Sequence, residues 1–170
     1  EPEVLKNYAH HTETGEVIPD ALIKKLADAS TFNEGFMTTE YLAASYLDLA
    51  WHTRTETDEF TDVEAIEAEA MANIDLVKMI DPRYRSTYFQ HIFTGDHYSA
   101  GYYSYIWAEV LDADGFDAFK ENGIFDTKTA DLFRTNVLEK GGTADPMELY
   151  RAFRGREPEV QPLLEKRGLI

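Results

Sequence analysis

Cysteine is absent from the 170 residues, which excludes disulfides, thiolate metal sites and a cysteine nucleophile and fits a reducing compartment. Basic residues are scarce: 16 Lys and Arg stand against 32 Asp and Glu, a formal charge of −16. Binding to a phosphate backbone needs clustered Lys and Arg, so no nucleic-acid partner is expected. No apolar run approaches the roughly 18 to 20 residues that span a bilayer, so no membrane partner is expected either. The chain opens on Glu1 with no basic-then-apolar leader, which reads as processing or excision from something longer. No stretch alternates polar and apolar residues long enough for a strand, and there is no internal repeat or low-complexity tract.

What is present is ordinary for one globular domain with a sizeable core: 44% hydrophobic and 28% charged residues. The pattern is all-α. Val4, Leu5 and Tyr8 start a short helix, and Pro19 opens a second that carries Leu22, Ile23 and Leu26 on one side. Thr39 to Trp51 is apolar nearly all round, the mark of a buried helix. Thr61 and Glu64 have capping-box spacing, and Val63, Ile66, Ala70, Ile74 and Val77 then form an apolar stripe that Asp81-Pro82 should end. The acidic run Glu56, Asp58, Glu59, Asp62, Glu64, Glu67 and Glu69 reads as a solvated face. Residues 83–101 read mostly as loop and Ala100 to Leu111 as helix. Shorter helices follow near Phe116–Glu121, Thr127–Glu139, Pro146–Phe153 and Pro158–Lys166, with breaks at Gly123, Gly141-Gly142 and Gly155.

The chemistry concentrates between Phe89 and Trp107, which holds His91, His97, Tyr98, Tyr102, Tyr103 and Tyr105 around Gly95 and Gly101. On a helix Tyr98, Tyr102 and Tyr105 would share a face as i, i+4 and i+7. A tyrosine stripe is more often packing than catalysis, and one histidine beside a buried aromatic is usually structural. Glycines in an ordered segment carry an entropic cost, so Gly95 and Gly101 suggest close backbone approach or movement.

The string His91-Ile92-Phe93, then Gly95, then Tyr98-Ser99-Ala100-Gly101-Tyr102-Tyr103-Ser104-Tyr105-Ile106-Trp107-Ala108-Glu109 closely resembles the thimet oligopeptidase/peptidyl-dipeptidase family of zinc metallopeptidases. The likeness extends to Tyr8-Ala9-His10-His11, Phe36-Met37-Thr38-Thr39-Glu40-Tyr41-Leu42, Gly141-Gly142, Met147-Glu148-Leu149, Phe153-Arg154-Gly155-Arg156 and Pro162-Leu163-Leu164. It thus covers essentially the whole chain, with the peptidyl-dipeptidase branch as the nearest pattern. The resemblance implies a multi-helical C-terminal lobe of a zincin-type oligopeptidase. Residues 1–80 would be its N-terminal helices, 81–101 the substrate loop, and 102–170 the C-terminal helices.

In that family two histidines of a His-Glu-x-x-His helix and a later glutamate hold zinc. The five histidines here are His10, His11, His52, His91 and His97, and none forms that motif. Adjacent His10 and His11 would point about 100° apart on a helix, a poor chelating pair. No metal ligand is therefore assigned, and zinc is expected only in a full-length protein. The resemblance instead implies that Tyr105, Tyr98 and His91 touch the substrate or its tetrahedral intermediate, with Tyr102, Gly95 and Gly101 as further substrate contacts. Asp96 and His97 stand where some relatives carry more glycine. A phenol is neutral at pH 7 and can donate a hydrogen bond to the oxyanion that attack creates; Tyr105 is the residue expected to do so.

The expected partners are a short peptide substrate and the zinc-binding remainder of the same chain. A free-carboxylate clamp for dipeptide release would fall to Arg83 or Arg85. A cytoplasmic location is expected, with periplasmic or exported locations left open. The alternative is a non-catalytic helical domain that binds a peptide or partner helix, a reading that gives no reason for the His91-to-Trp107 string.

Overall fold

A computed structural model describes residues 1–55, 57 and 62–170, and every regular element among them is helical. In chain order they are α1 (Pro2–Tyr8), α2 (Asp20–Ser30), α3 (Glu34–His52), α4 (Val63–Ala72), α5 (Gln90–Phe93), α6 (Ser104–Asn122), α7 (Thr127–Phe133), α8 (Pro146–Arg154) and α9 (Gln161–Lys166). Tight 3-10 turns at Ser86–Tyr88 and Asp96–Tyr98 flank α5, and a π segment at Arg134–Leu138 continues α7. The chain is thus all-α, as its pattern predicts. Among the described residues no helix is long and apolar enough to cross a membrane.

Several boundaries differ from the sequence pattern, each for a local reason. α4 stops at Ala72 rather than at Asp81-Pro82, because Asp75 turns into the left-handed region with φ 52°. Asp62 caps that helix, its side chain accepting from the Ala65 N–H at 2.6 Å; Thr61, the expected cap, lies outside the described residues. Glu56, Asp58 and Glu59 of the acidic run lie outside them too. The apparent loop over 83–101 contains three helical turns, and Ala100, with φ 54°, keeps α6 from starting before Ser104. Once begun, α6 runs through Phe116 to Asn122 without the expected break. The breaks at Gly123 and Gly155 do hold, with φ 114° and 80°, conformations that a Cβ disfavours.

By packing, the chain separates into two compact units, residues 33–108 and residues 1–32 with 109–170. The expected substrate loop, 81–101, lies wholly inside the first of these. There α3 packs against α4, and the core gathers Ala44, Leu47, Ala70, Phe89, Ile92 and Tyr102. Leu47, Phe89 and Ile92 are essentially inaccessible to water, and each such burial stabilises by roughly 1.5–3 kcal/mol. In the other unit Phe119, Phe133 and Phe153 form a ring cluster, Phe133 and Phe153 lying 5.2 Å apart. Beside it Asp114 is fully buried. It accepts from the Tyr150 hydroxyl and from Arg156 Nη2 at 2.5 Å, while Arg154 Nε donates to its carbonyl at 3.1 Å.

Candidate functional site

Phe89, which caps the short helix α5, and Ile92 within it both enter the core, which leaves His91 between them in sequence facing solvent. Tyr98 ends the next 3-10 turn, and its ring meets the His91 imidazole edge-on at 4.7 Å. Tyr105 lies in the first turn of α6, its hydroxyl 3.4 Å from His91 Nε2. Tyr102 closes the group, 5.8 Å from His91 and 5.4 Å from Tyr105 between ring centres. The four residues therefore do come together, but not along one helical face: three separate elements and the turn before α6 deliver them.

Their exposures differ. Tyr98 is 39% and Tyr105 50% exposed, whereas Tyr102 is 8% exposed and belongs to the core. Tyr102 stacks on Tyr41 at 5.4 Å and meets Phe89 edge-on at 5.0 Å, so it forms the floor beneath His91 and Tyr105. Burial raises its pKa, only partly offset by nearby Arg83, so this phenol stays protonated well into alkaline solution. Gly95 is extended, and a Cβ there would meet the His97 imidazole at 3.0 Å. His97 in turn lies 4.6 Å from the Tyr98 ring, so the glycine permits a close approach that fixes Tyr98's neighbour. At Gly101 an added Cβ would make only an ordinary 3.4 Å contact with the Tyr98 carbonyl. The left-handed backbone of this loop is at Ala100.

The two arginines upstream diverge. Arg85 pairs with Glu67, which is buried and also accepts from the Ser86 N–H at 2.9 Å and the Ser86 hydroxyl at 3.1 Å. Trp51 Nε1 donates to that same hydroxyl at 2.9 Å. Glu67 is thus an anchor and not part of a solvated face, unlike exposed Glu64 and Glu69. Arg83 makes no ion pair among the described residues and lies 5.8 Å from the centre of the Tyr84 ring. Tyr84 stacks on Phe89 and meets Tyr102 edge-on, so Arg83 borders the same aromatic patch as His91.

Two residues that hold this patch went unread in the sequence. Asp48 is fully buried on α3 and accepts from the Ala100 and Tyr102 N–H groups at 3.0 and 2.8 Å. His52, one turn on, places Nδ1 2.7 Å from Asp48 Oδ1 and its ring 5.4 Å from Phe93. The available signal was an Asp with a His at i+4 on the largely apolar second half of α3. Glu67 had a signal too, since it takes an i+4 position in the stripe begun by Val63.

Chemically, the patch offers a phenol hydroxyl, a second phenol and an imidazole on a rigid apolar floor. Phenol O–H and imidazole N–H groups are able to donate hydrogen bonds to carbonyl oxygens. The patch does not fit zinc: among the described residues no group of three or more His, Asp or Glu side chains is arranged to hold a metal ion.

The model for "Peptidase family M3" matches residues 1–169. The chain is 42% identical to dipeptidyl carboxypeptidase of Escherichia coli (strain K12), over 99% of its own length and 25% of the relative's. It is 37% identical to oligopeptidase A of the same organism, over 99% of this chain and 25% of that one. With saccharolysin of Saccharomyces cerevisiae the figures are 31%, 97% and 23%. The chain thus spans about a quarter of the length of the curated relatives it matches. With the family match over residues 1–169, the chain belongs to peptidase family M3.

Proposed function

We propose that this chain forms the substrate-contacting part of a zinc metallopeptidase that hydrolyses short peptides, with the metal ligands carried by the remainder of a longer chain. The observation that carries this reading is the pairing of the Tyr105 hydroxyl with His91 Nε2 at 3.4 Å, beside half-exposed Tyr98 and above a buried floor. Attack on a peptide carbonyl moves negative charge onto its oxygen. Tyr105 donates its hydroxyl proton in a hydrogen bond to that oxygen, held in place by its own helix and by His91. Such a donor costs little reorganisation as the charge develops. Tyr98 and His91 hold the substrate backbone next to it. Membership in a peptidase family weighs against the alternative of a purely partner-binding helical domain.

The name dipeptidyl carboxypeptidase, borne by a 42% identical relative, favours release of dipeptides from the C-terminus. That activity needs a cation for the free carboxylate. Arg83 suits it, because Arg85 already neutralises Glu67 whereas Arg83 makes no ion pair among the described residues.

The test compares Tyr105→Phe with the parent in a complete chain that carries the His-Glu-x-x-His motif. The substitution should lower kcat by about 10²–10³ and change KM little. Equal turnover of the two proteins excludes Tyr105 as the oxyanion donor. The 170 residues alone should bind no stoichiometric zinc and show no hydrolysis; zinc-dependent cleavage by them would overturn the assignment of the metal site elsewhere.

A further inference from the structure

Tyr98, Tyr102 and Tyr105 hang on a short span of main chain, residues 98–106, in which residues 99–103 link the 3-10 turn that ends at Tyr98 to the start of α6 at Ser104. Within it Ala100 sits at φ 54°, a region that residues with a Cβ rarely adopt. Something must hold it there. The Asp48 carboxylate does so from α3, with Oδ1 accepting from the Ala100 N–H at 3.0 Å and Oδ2 from the Tyr102 N–H at 2.8 Å. Two helical turns earlier on the same face of α3, the Tyr41 hydroxyl donates to the Tyr102 carbonyl at 2.5 Å and accepts from the Ile106 N–H at 3.2 Å. Four main-chain groups between residues 100 and 106 are therefore tied to two side chains of one helix.

The carboxylate is itself oriented. His52 Nδ1 lies 2.7 Å from Asp48 Oδ1 and 3.0 Å from the Asp48 carbonyl. Both neighbours only accept, so Nδ1 is the protonated nitrogen and donates. A buried carboxylate is costly unless its acceptor sites are filled, and apolar packing alone would cover this part of α3. What packing cannot supply is a pair of fixed acceptors for two N–H groups on either side of Gly101.

We propose that Asp48 and Tyr41 are positioning residues of the peptidase site: they set the Ala100–Ile106 turn and through it hold the Tyr105 hydroxyl against His91. The proposal rests on the reading of Tyr105 as the oxyanion donor. Neither residue touches the substrate; both act through the turn.

The experiment is a double-mutant cycle in the complete, zinc-loaded enzyme. Asp48→Asn keeps the side chain's shape but turns an NH2 toward one of the two N–H groups. It should lower kcat by about 10- to 100-fold, as displacement of a reacting group by an ångström does, with KM within about threefold. In a Tyr105→Phe background the same substitution should cost less than about threefold more, because the group it positions has already gone. Losses that multiply independently, or an unchanged kcat for Asp48→Asn, overturn the positioning role. An unchanged kcat for Tyr105→Phe overturns the oxyanion reading and this proposal with it. Should Asp48→Asn not yield folded protein, Tyr41→Phe keeps the ring stacked on Tyr102, removes the hydroxyl, and enters the same cycle with the same outcomes.

Discussion

Arg83 and Arg85 stand two residues apart and do different things. Arg85 is bound to buried Glu67, and the hydrogen bond to that carboxylate holds its pKa above the ordinary value. Arg83 lies against the Tyr84 ring, and its hydrogen bond with Tyr84 likewise favours the cation. If Arg83 captures a substrate carboxylate, Arg83→Met should raise KM about tenfold for peptides with a free C-terminus, the order expected for a lost charge-assisted hydrogen bond. C-terminally amidated peptides should be unaffected. An equal KM shift for both would assign Arg83 to the scaffold. His91, Tyr98 and Tyr105 could be named from the sequence because they stand in the string that carries the family resemblance. Asp48 could not, because an acidic residue in the largely apolar second half of a helix says nothing of what it will bind 52 residues further along the chain.

At the scale of elements, local signals explain most helix ends and misplace some. Asp126 caps α7, its Oδ2 accepting from the Thr129 N–H at 2.7 Å and the Thr129 hydroxyl at 2.8 Å. These bonds favour the carboxylate and lower its pKa. A depressed carboxylate pKa contributes stability above the unfolded value and loses it as pH falls through the folded one. Asp126→Ala should therefore lower Tm at pH 7, and the gap to the parent should begin to narrow as pH falls below the ordinary carboxylate value of about 4, where the unfolded chain takes up a proton before the folded parent does. A constant gap across thermal scans from pH 7 to 3 would count against the charged cap. The start of α6 shows the opposite case. Residues 98–105 have helical spacing, but Asp48 binds the N–H groups of Ala100 and Tyr102, so tertiary hydrogen bonds displace the helix by four residues from its expected start at Ala100.

Taken over the whole molecule, each packing unit contains a buried tyrosine whose pKa burial pushes up: Tyr102 in residues 33–108 and Tyr150 in the other, where the hydrogen bond to Asp114 adds to the effect. In the unfolded chain both ionise near the ordinary value of about 10. A raised folded pKa gives stability that is complete below the unfolded value and lost as pH rises through the folded one. Thermal stability should hold to about pH 9 and fall beyond about pH 10. Tyr150→Phe should be less stable at pH 8, having lost one of the hydrogen bonds to Asp114, but should decline less steeply at alkaline pH. The same slope for both proteins would mean that Tyr150 does not supply the effect.

The sequence by itself determined the helical class, because caps, glycine breaks and apolar periodicity act within a few residues of one another. It also determined the family likeness, whose string carries His91, Tyr98 and Tyr105 within 15 consecutive residues. Only the tertiary structure decided that Tyr102 is floor and not rim, that Glu67 is an anchor, and that Ala100 carries the left-handed turn. Each of these depends on a partner brought near by packing: Tyr41, Ser86 and Asp48. The strength of such a contact is set by burial and by filled hydrogen bonds, and neither is written in the spacing of residues along the chain.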